Sequence, residues 1–480
     1  MNPVRSFLKN ATAFGLARVF QNGTNLILVV ILSRQLGVAG FGVYATALAY
    51  YSMGAHWVGP GLSTYIAREL ARDPARTGAY VVHLGALTGG IALALLAGLA
   101  AAAQLLDYSP AARAAIAVAL LALLPAAVNT ILESALVAHE RVEILAWSQL
   151  LGNLGDLAGT AALLAGGYGV QAVILNFVCW RYATLLVRAC LFGRRIGWPE
   201  WRLASSALAR LLRELKPFMM LGVVGGVFTV ETEVILLSLF ADEYAVGVYS
   251  AALKILTVWY LVPNSVLSVA FPLLSRSYAE SVERFNAMQR RAIRLLMAIA
   301  FPLATGLAVF GPRAVRLLYG AGFEEAGVLV VCLAWMPVLL FLEGVLWRTL
   351  LARNEQDVAC RAQLLSVGIR LAAGCLLIPA FGYAGAAAAL AISFLSFVGL
   401  HAYYVARGGT PIRFFRVNRG FLGAALGMAG VAAVLEHLVR VPVGLNVAFS
   451  MAVYGGLAYA FQAFHQEDAL LIRQLVVREG

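Results

Sequence analysis

The feature that most constrains this chain is a recurring run of about twenty apolar residues, each bounded by Gly, Pro or a cluster of charge. Wound as a helix, such a run matches the hydrocarbon thickness of a bilayer. About fourteen can be counted, at 11–35, 41–63, 78–102, 112–137, 146–166, 169–191, 217–240, 246–271, 292–311, 326–351, 358–379, 382–405, 420–438 and 443–464. Charged residues make up only 12% of the 480, about half of the ~25% that a water-facing surface requires. Backbone polar groups in lipid must satisfy one another, which leaves helices as the spanning elements here. The sequence therefore predicts an all-α polytopic membrane protein of about 14 transmembrane helices. The first run is too long for the apolar core of a signal peptide and is read as a retained span.

The net charge of +12 would suggest nucleic acid in a soluble protein, but no basic tract with interleaved aromatics occurs, and nucleic-acid binding is excluded. The 36 Lys and Arg sit between the apolar runs. With the N-terminus in the cytoplasm, most fall on that side, Arg188 counted among them, while Arg34, Arg113, Arg313, Arg316 and Arg440 fall outside. Such asymmetry is the positive-inside signature of a bacterial inner-membrane protein with both termini cytoplasmic. The five cysteines are scattered without a CxxC pair or a His at metal spacing, so neither a disulfide framework nor a metal or other cofactor is expected.

An internal repeat pairs Gly42, Val43, Tyr44, Ala47 and Leu48 with Gly247, Val248, Tyr249, Ala252 and Leu253 at a constant offset of 205 residues. Leu32, Ser33, Leu62 and Ser63 match Leu237, Ser238, Leu267 and Ser268 in the same register. An even number of spans separates the copies, so the halves share an orientation and relate by an axis along the membrane normal. The reading divides the chain into a lobe at 1–191, a linker at 192–216, a second lobe at 217–406, and two further helices with a tail at 407–480. In the linker, Leu208, Leu211, Leu212 and Leu215 alternate with Arg210, Arg213 and Lys216, a pattern expected to lie in the cytoplasmic interface.

A basic side chain inside a span costs about 3 kcal/mol or more unless it meets water or a partner, so intramembrane charge marks function by default. Arg18, Arg181, Lys254 and Arg370 are the basic candidates. Arg18 shares one helix face with Gln21, Asn22 and Asn25, a stripe suited to a cavity wall or to a polar helix interface. Lys254 shares a face with Ser250 and Thr257, and Arg370 with Gln363 and Ser366. Pairing of Lys254 with Glu231 or Glu233, and of Arg370 with Glu343, are structural alternatives. Asp156, with Asn153 and Thr160 on its face, and Glu231 or Glu233 are candidates for coupling to Na⁺ or H⁺. Glu231 and Glu233 lie two apart and cannot face the same way on a helix. The chain contains no P-loop, nucleophile elbow or HExxH, and an enzyme is not expected.

The segment LSRQLGVAGFGVYATALAYYSMGAHWVGPGLSTYIARELARD (Leu32 to Asp73) resembles the first block of the polysaccharide-export flippases of the multidrug/oligosaccharidyl-lipid/polysaccharide (MOP) superfamily. ETEVILLSLFADEYAVGVYSAALKILTVWYLVPNSVLSVAFPLLSR (Glu231 to Arg276) resembles its counterpart, and FGYAGAAAALAIS (Phe381 to Ser393) is a weaker echo. The resemblance implies a MATE-like fold, two six-helix lobes around a central cavity plus two C-terminal helices. It implies a cargo of lipid-linked oligosaccharide, usually on undecaprenyl diphosphate, moved from the cytoplasmic to the periplasmic leaflet by alternating access. Membrane lipids and the polymerase and export machinery of a polysaccharide pathway are the partners it implies. In that family an acidic residue, usually Asp, stands at Glu233 and a basic one at Lys254. A multidrug antiporter of the same superfamily would instead need an acidic and aromatic cavity, and a membrane glycosyltransferase or polymerase a long outer loop with clustered carboxylates. A structural scaffold would need no intramembrane charge.

Single-cysteine accessibility mapping should place Arg72, Arg284 and Arg413 on the cytoplasmic side and Asp107 and Arg440 outside. One robust reversal breaks the fourteen-span topology.

Overall fold

A computed structural model of the chain describes the backbone of residues 3–59, 62, 65, 66, 69, 70, 73, 77–198, 211, 215, 231–409, 414–436 and 441–463, the side chains of 3–19, Leu261 and Val269 excepted. Among the described residues the structure is helical, with no strand: α1 (Pro3–Val58), α2 (Thr77–Leu105), α3 (Pro110–Leu120), α4 (Leu123–Ala138), α5 (Val142–Ala165), α6 (Val170–Arg195), α7 (Glu231–Phe240), α8 (Glu243–Thr257), α9 (Leu261–Glu280), α10 (Val282–Tyr319), α11 (Glu324–Cys332), α12 (Met336–Ala352), α13 (Gln356–Arg407), α14 (Phe414–Val434) and α15 (Val443–Ala460). The chain packs as two compact units, Met1–Ser250 and Ala251–Gly480.

Nine helices among the described residues are long and apolar enough to cross a membrane, or ten when Ala321–Cys332 and Met336–Ala352, bent by 47°, form one span. The difference from fourteen has physical causes. Helix α1 runs 56 residues and α13 runs 52, each far beyond the ~20 that a bilayer takes. Each is broken at a glycine, Gly37 at φ 68° and Gly382 at φ 54°. A side chain pays a steric penalty at positive φ and glycine does not, so each long helix carries two of the spans read from sequence. Gln149, Asn153 and Asp156 keep α5 out of the apolar set, and most of 217–240 lies outside the described residues.

The first unit buries two apolar clusters. One gathers Val43, Ala47 and Tyr50 of α1 with Ile116 and Leu120 of α3, Leu123 of α4 and Ile174 of α6. The other joins Leu84, Leu132, Leu136, Ile144 and Phe192 to Leu62, Tyr65 and Ile66. Leu215, from the linker, is fully buried in this second cluster, with Leu211 packed against it. These two leucines of the amphipathic face are covered by protein; 199–210, 212–214 and 216 of the linker lie outside the described residues. A chain of hydroxyls, Tyr50 to Tyr108 (3.0 Å) to Ser238 (2.8 Å), links α1, the α2–α3 loop and α7.

In the second unit Ser281 caps α10, its hydroxyl accepting from the Arg284 backbone N–H at 3.2 Å. Phe285 and Met288 of α10 then pack with Leu274 of α9 and Ala352 of α12. Two polar ties hold α14 and α15 to α10. Arg313 pairs at 2.7 Å with Glu436, which also accepts from Asn446 at 3.3 Å, and the Tyr454 hydroxyl donates to the Ala298 carbonyl at 2.9 Å.

The backbone records the repeat directly. Within the first unit, α1 and α8 cross at the repeat-related glycines: a methyl on Gly42 would fall 1.8 Å from the Glu243 carbonyl oxygen, and one on Gly247 would fall 2.1 Å from that of Val38. Val38 and Glu243 are themselves equivalent in the repeat, so the contact is reciprocal. The α4–α5 turn is repeated at α12–α13. In the first, the N–H groups of His139, Glu140 and Arg141 donate to the carbonyls of Ala135, Val137 and Leu136. In the second, those of Arg353, Asn354 and Glu355 donate to Thr349, Leu351 and Leu350. Glu140 at φ 57° matches Asn354 at φ 60°.

Either Gly42→Val or Gly247→Val should cost at least about 1–3 kcal/mol by overpacking and sharply lower the folded yield in detergent. Gly456→Ala, with nothing within 4 Å of the added carbon, should leave the yield unchanged. Monodispersity and thermal unfolding of purified protein check both.

Candidate functional site

The polar centre of the first unit is built where α5 and α6 approach most closely. Gly152, Gly155 and Gly159 of α5 recur on one face, and a side chain at each would collide with Thr184, Trp180 or Asn176 of α6 at 2.2–2.3 Å. The missing side chains let Asn176 lie flat against α5. Its amide donates to the Asp156 carboxylate at 2.9 Å, to the Asp156 carbonyl at 3.0 Å and to the Thr160 hydroxyl at 3.2 Å. Asp156 is thereby held in one orientation on a helix predicted to cross the membrane. Asn153, also on this helix, accepts from Gln149 at 3.0 Å.

Arg181 stands on the same helix as Asn176 and acts electrostatically on Asp156, which in turn acts on Tyr44 of α1. Its guanidinium lies 4.6 Å from the ring centroid of Phe177, one turn back, a distance at which the ring face attracts a cation. Tyr51 of α1 meets the same Phe177 ring edge-on at 5.1 Å. Among the described residues Arg181 makes no hydrogen bond or ion pair, although a guanidinium carries five N–H donors. The arrangement fixes the cation by its flat face and leaves its donor edge for an anion.

Seven residues further along α6, Arg188 has the opposite environment. It is 1% exposed. It pairs with Glu133, and donates to Asn129 at 3.0 Å and to Ser148 at 3.2 Å. Arg188, counted from sequence with the cytoplasmic charges, is buried between α4, α5 and α6. The sequence signal was there: Glu133 and Asn129 lie one turn apart inside the span read at 112–137.

The other candidates are dispersed. The Arg18 side chain lies outside the described residues; Gln21 and Asn22 are half-buried on α1 and Asn25 is exposed. On α8, Ser250 is buried and Lys254 exposed. On α7, Glu233 is fully buried and Glu231 half-buried, so the two do face apart. Arg370 is 1% exposed on α13, above Ser366, whose hydroxyl turns back to the Ala362 carbonyl at 2.9 Å, and Gln363, which is half-buried. Arg370 and Glu233 are each engaged by a neighbour. The charge acting on Glu343 is Arg348.

Residues 31–327 match the model of a family described as polysaccharide biosynthesis protein. Over 316 residues the chain is 25% identical to the probable low-salt glycan biosynthesis flippase Agl15 of Haloferax volcanii, covering 65% of this chain and 66% of that protein. The chain therefore spans just under two thirds of that relative's length. The fold is similar to that of the lipid II flippase MurJ in an inward closed conformation, with a TM-score of 0.75 at 15% identity over 96% of this chain and 99% of that one. It is also similar to an inward-facing multidrug resistance MATE family transporter of the MOP superfamily, with a TM-score of 0.61 at 17% identity over 82% and 96%. The all-α, multi-pass membrane architecture is the one these two structures share.

The two arginines of α6 should respond differently to truncation. Arg188→Ala leaves Glu133 and Asn129 without their partner. Removing one member of a buried pair costs about 3–5 kcal/mol, here nearer the lower figure because the Glu133 side chain is 48% exposed. Arg181→Ala should keep wild-type folded yield and thermal stability. Size-exclusion profiles and melting of the two variants in the same detergent check the contrast.

Proposed function

Because the chain belongs to the polysaccharide biosynthesis protein family, whose model matches residues 31–327, we propose that it is a flippase that moves polyprenyl-diphosphate-linked oligosaccharide from the cytoplasmic to the periplasmic leaflet. The observation that carries this reading is Arg181, a guanidinium on a membrane-embedded helix, seated on Phe177 with no hydrogen-bonding partner among the described residues. Such a group is suited to a diphosphate, whose oxygens accept the paired, charge-assisted hydrogen bonds that a guanidinium offers. The polyprenyl tail stays in lipid and the sugars pass through a polar cavity. No covalent chemistry is required, only alternating exposure of the site to the two sides.

In this reading Arg18, Lys254 and Arg370 add cationic contacts, and Gln21, Asn22 and Asn25 offer amides to sugar hydroxyls. Asp156, with Glu231 or Glu233, is the place for a coupling Na⁺ or H⁺. The protein sits in a bacterial inner membrane with about fourteen spans and both termini cytoplasmic. Its working parts follow the repeat, a lobe at 1–191, the linker at 192–216, a lobe at 217–406 and two added helices at 407–480. Polymerase and export machinery of a polysaccharide pathway act downstream. The name of the archaeal glycan flippase relative and the fold shared with MurJ support the same reading.

Export of lipid-linked sugar, in cells or vesicles with protein level controlled, tests it. Arg18→Ala and Arg181→Ala should each reduce export by at least tenfold, and the corresponding Lys variants by less, since Lys keeps the charge but loses the fork. Normal export by both Ala variants at normal protein level rules out a cationic site.

A further inference from the structure

Arg181 and Asp156 lie on adjacent helices and act on one another, yet they are held by different means. Asp156 is fixed by the amide of Asn176 at 2.9 Å, and Arg181 by the ring of Phe177 at 4.6 Å. No direct ion pair joins them. Each can therefore keep its position while its partner changes, and what passes between them is charge alone. Helix α5 packs against α1, α4 and α6. Among the described residues, the charged group acting on Asp156 is Arg181 of α6, and Asp156 in turn acts on Tyr44 of α1; α4 contributes none. At rest the pair is a carboxylate and its one counter-charge.

We infer that the two form linked sites: an anionic diphosphate headgroup taken by Arg181 causes Asp156 to load a small monovalent cation, a proton or Na⁺, so that cargo and cation bind together. This rests on the reading of Arg181 as the diphosphate contact and adds the energetic coupling to it. When the headgroup occupies the donor edge of Arg181, the positive field that balanced Asp156 is cancelled. The site then carries excess negative charge in a low-dielectric setting, where such an imbalance is costly. A cation on Asp156 restores neutrality. Its ligands are at hand, the carboxylate and the Thr160 hydroxyl, which lies 3.2 Å from the same Asn176 amide. By reciprocity, a cation on Asp156 strengthens anion binding at Arg181 by the same factor. The cation then travels with the cargo rather than against it. Arg188, two turns along the same helix, is excluded from this exchange because Glu133, Asn129 and Ser148 already hold it.

The experiment uses full-length protein in lipid nanodiscs and measures binding of inorganic pyrophosphate across a pH series, and with Na⁺ against choline at constant ionic strength. In wild type, affinity should rise by about tenfold with acid if the cation is a proton, or with Na⁺ if it is sodium. Asp156→Asn, which can still accept from Asn176, should bind pyrophosphate as tightly in neutral, sodium-free buffer as wild type does when loaded, and should no longer respond to the cation. That variant also supplies the baseline for the probe's own protonation. Inorganic sulfate, which does not titrate in this range, repeats the wild-type series without relying on any variant. Wild-type affinity for sulfate that is indifferent to both acid and Na⁺ overturns the linkage, as does an Asp156→Asn response identical to that of wild type. Arg181→Ala separates the two claims. If it binds pyrophosphate as wild type does, the diphosphate reading of Arg181 fails; if it loses binding while the cation series is flat, only the linkage fails.

Discussion

Hydrocarbon offers a guanidinium nothing to donate to, and the organisation of the first unit follows from how that deficit is met. Around Arg188 the protein supplies a carboxylate, an amide and a hydroxyl from α4 and α5, and the result is a strut. Around Arg181 it supplies one aromatic face. The glycines of α5 make the second environment feasible, because they bring α6 close enough for Asn176 to fix Asp156 without a bulkier side chain intervening. A polar centre that is rigid but incompletely satisfied suits a group whose partner arrives from elsewhere.

Duplication preserved backbone more faithfully than charge. The α4–α5 and α12–α13 turns keep the same three hydrogen bonds and the same positive-φ residue, Glu140 and Asn354. Counting on from those two residues puts Asp156 in register with Arg370, so one backbone position carries an anion in the first unit and a buried cation in the second.

Much of the helical layout was legible because span length is a strong, local signal. The repeat was visible only near α1 and α8, where the offset is 205. By the α12–α13 turn, the offset from Glu140 to Asn354 has become 214, and an ungapped comparison passes over it. The breaks at Gly37 and Gly382 were legible as the span limits at 35–41 and 379–382, but the positive φ that makes them was not, since it leaves no mark on composition. The partners of Arg188 were not legible, because Glu133 is far away in sequence. Asp156 and Arg181 were each legible as intramembrane charges. Their proximity was not, because it depends on which faces of α5 and α6 meet.

Descent and packing disagree about where the first half of the molecule ends. By the repeat, α7 and α8 open the second copy, yet the first compact unit runs to Ser250. It includes the Tyr108 to Ser238 hydrogen bond and the seat of Gly42 against Glu243 and Gly247. A ribosome delivers the first six helices to the membrane well before those residues exist. In that interval the Tyr108 hydroxyl lacks Ser238 and the glycine face of α1 lacks its mate. The first half of this protein is completed by the opening of the second, and the order of synthesis leaves it waiting, inserted but unfinished, until Ser250 has emerged.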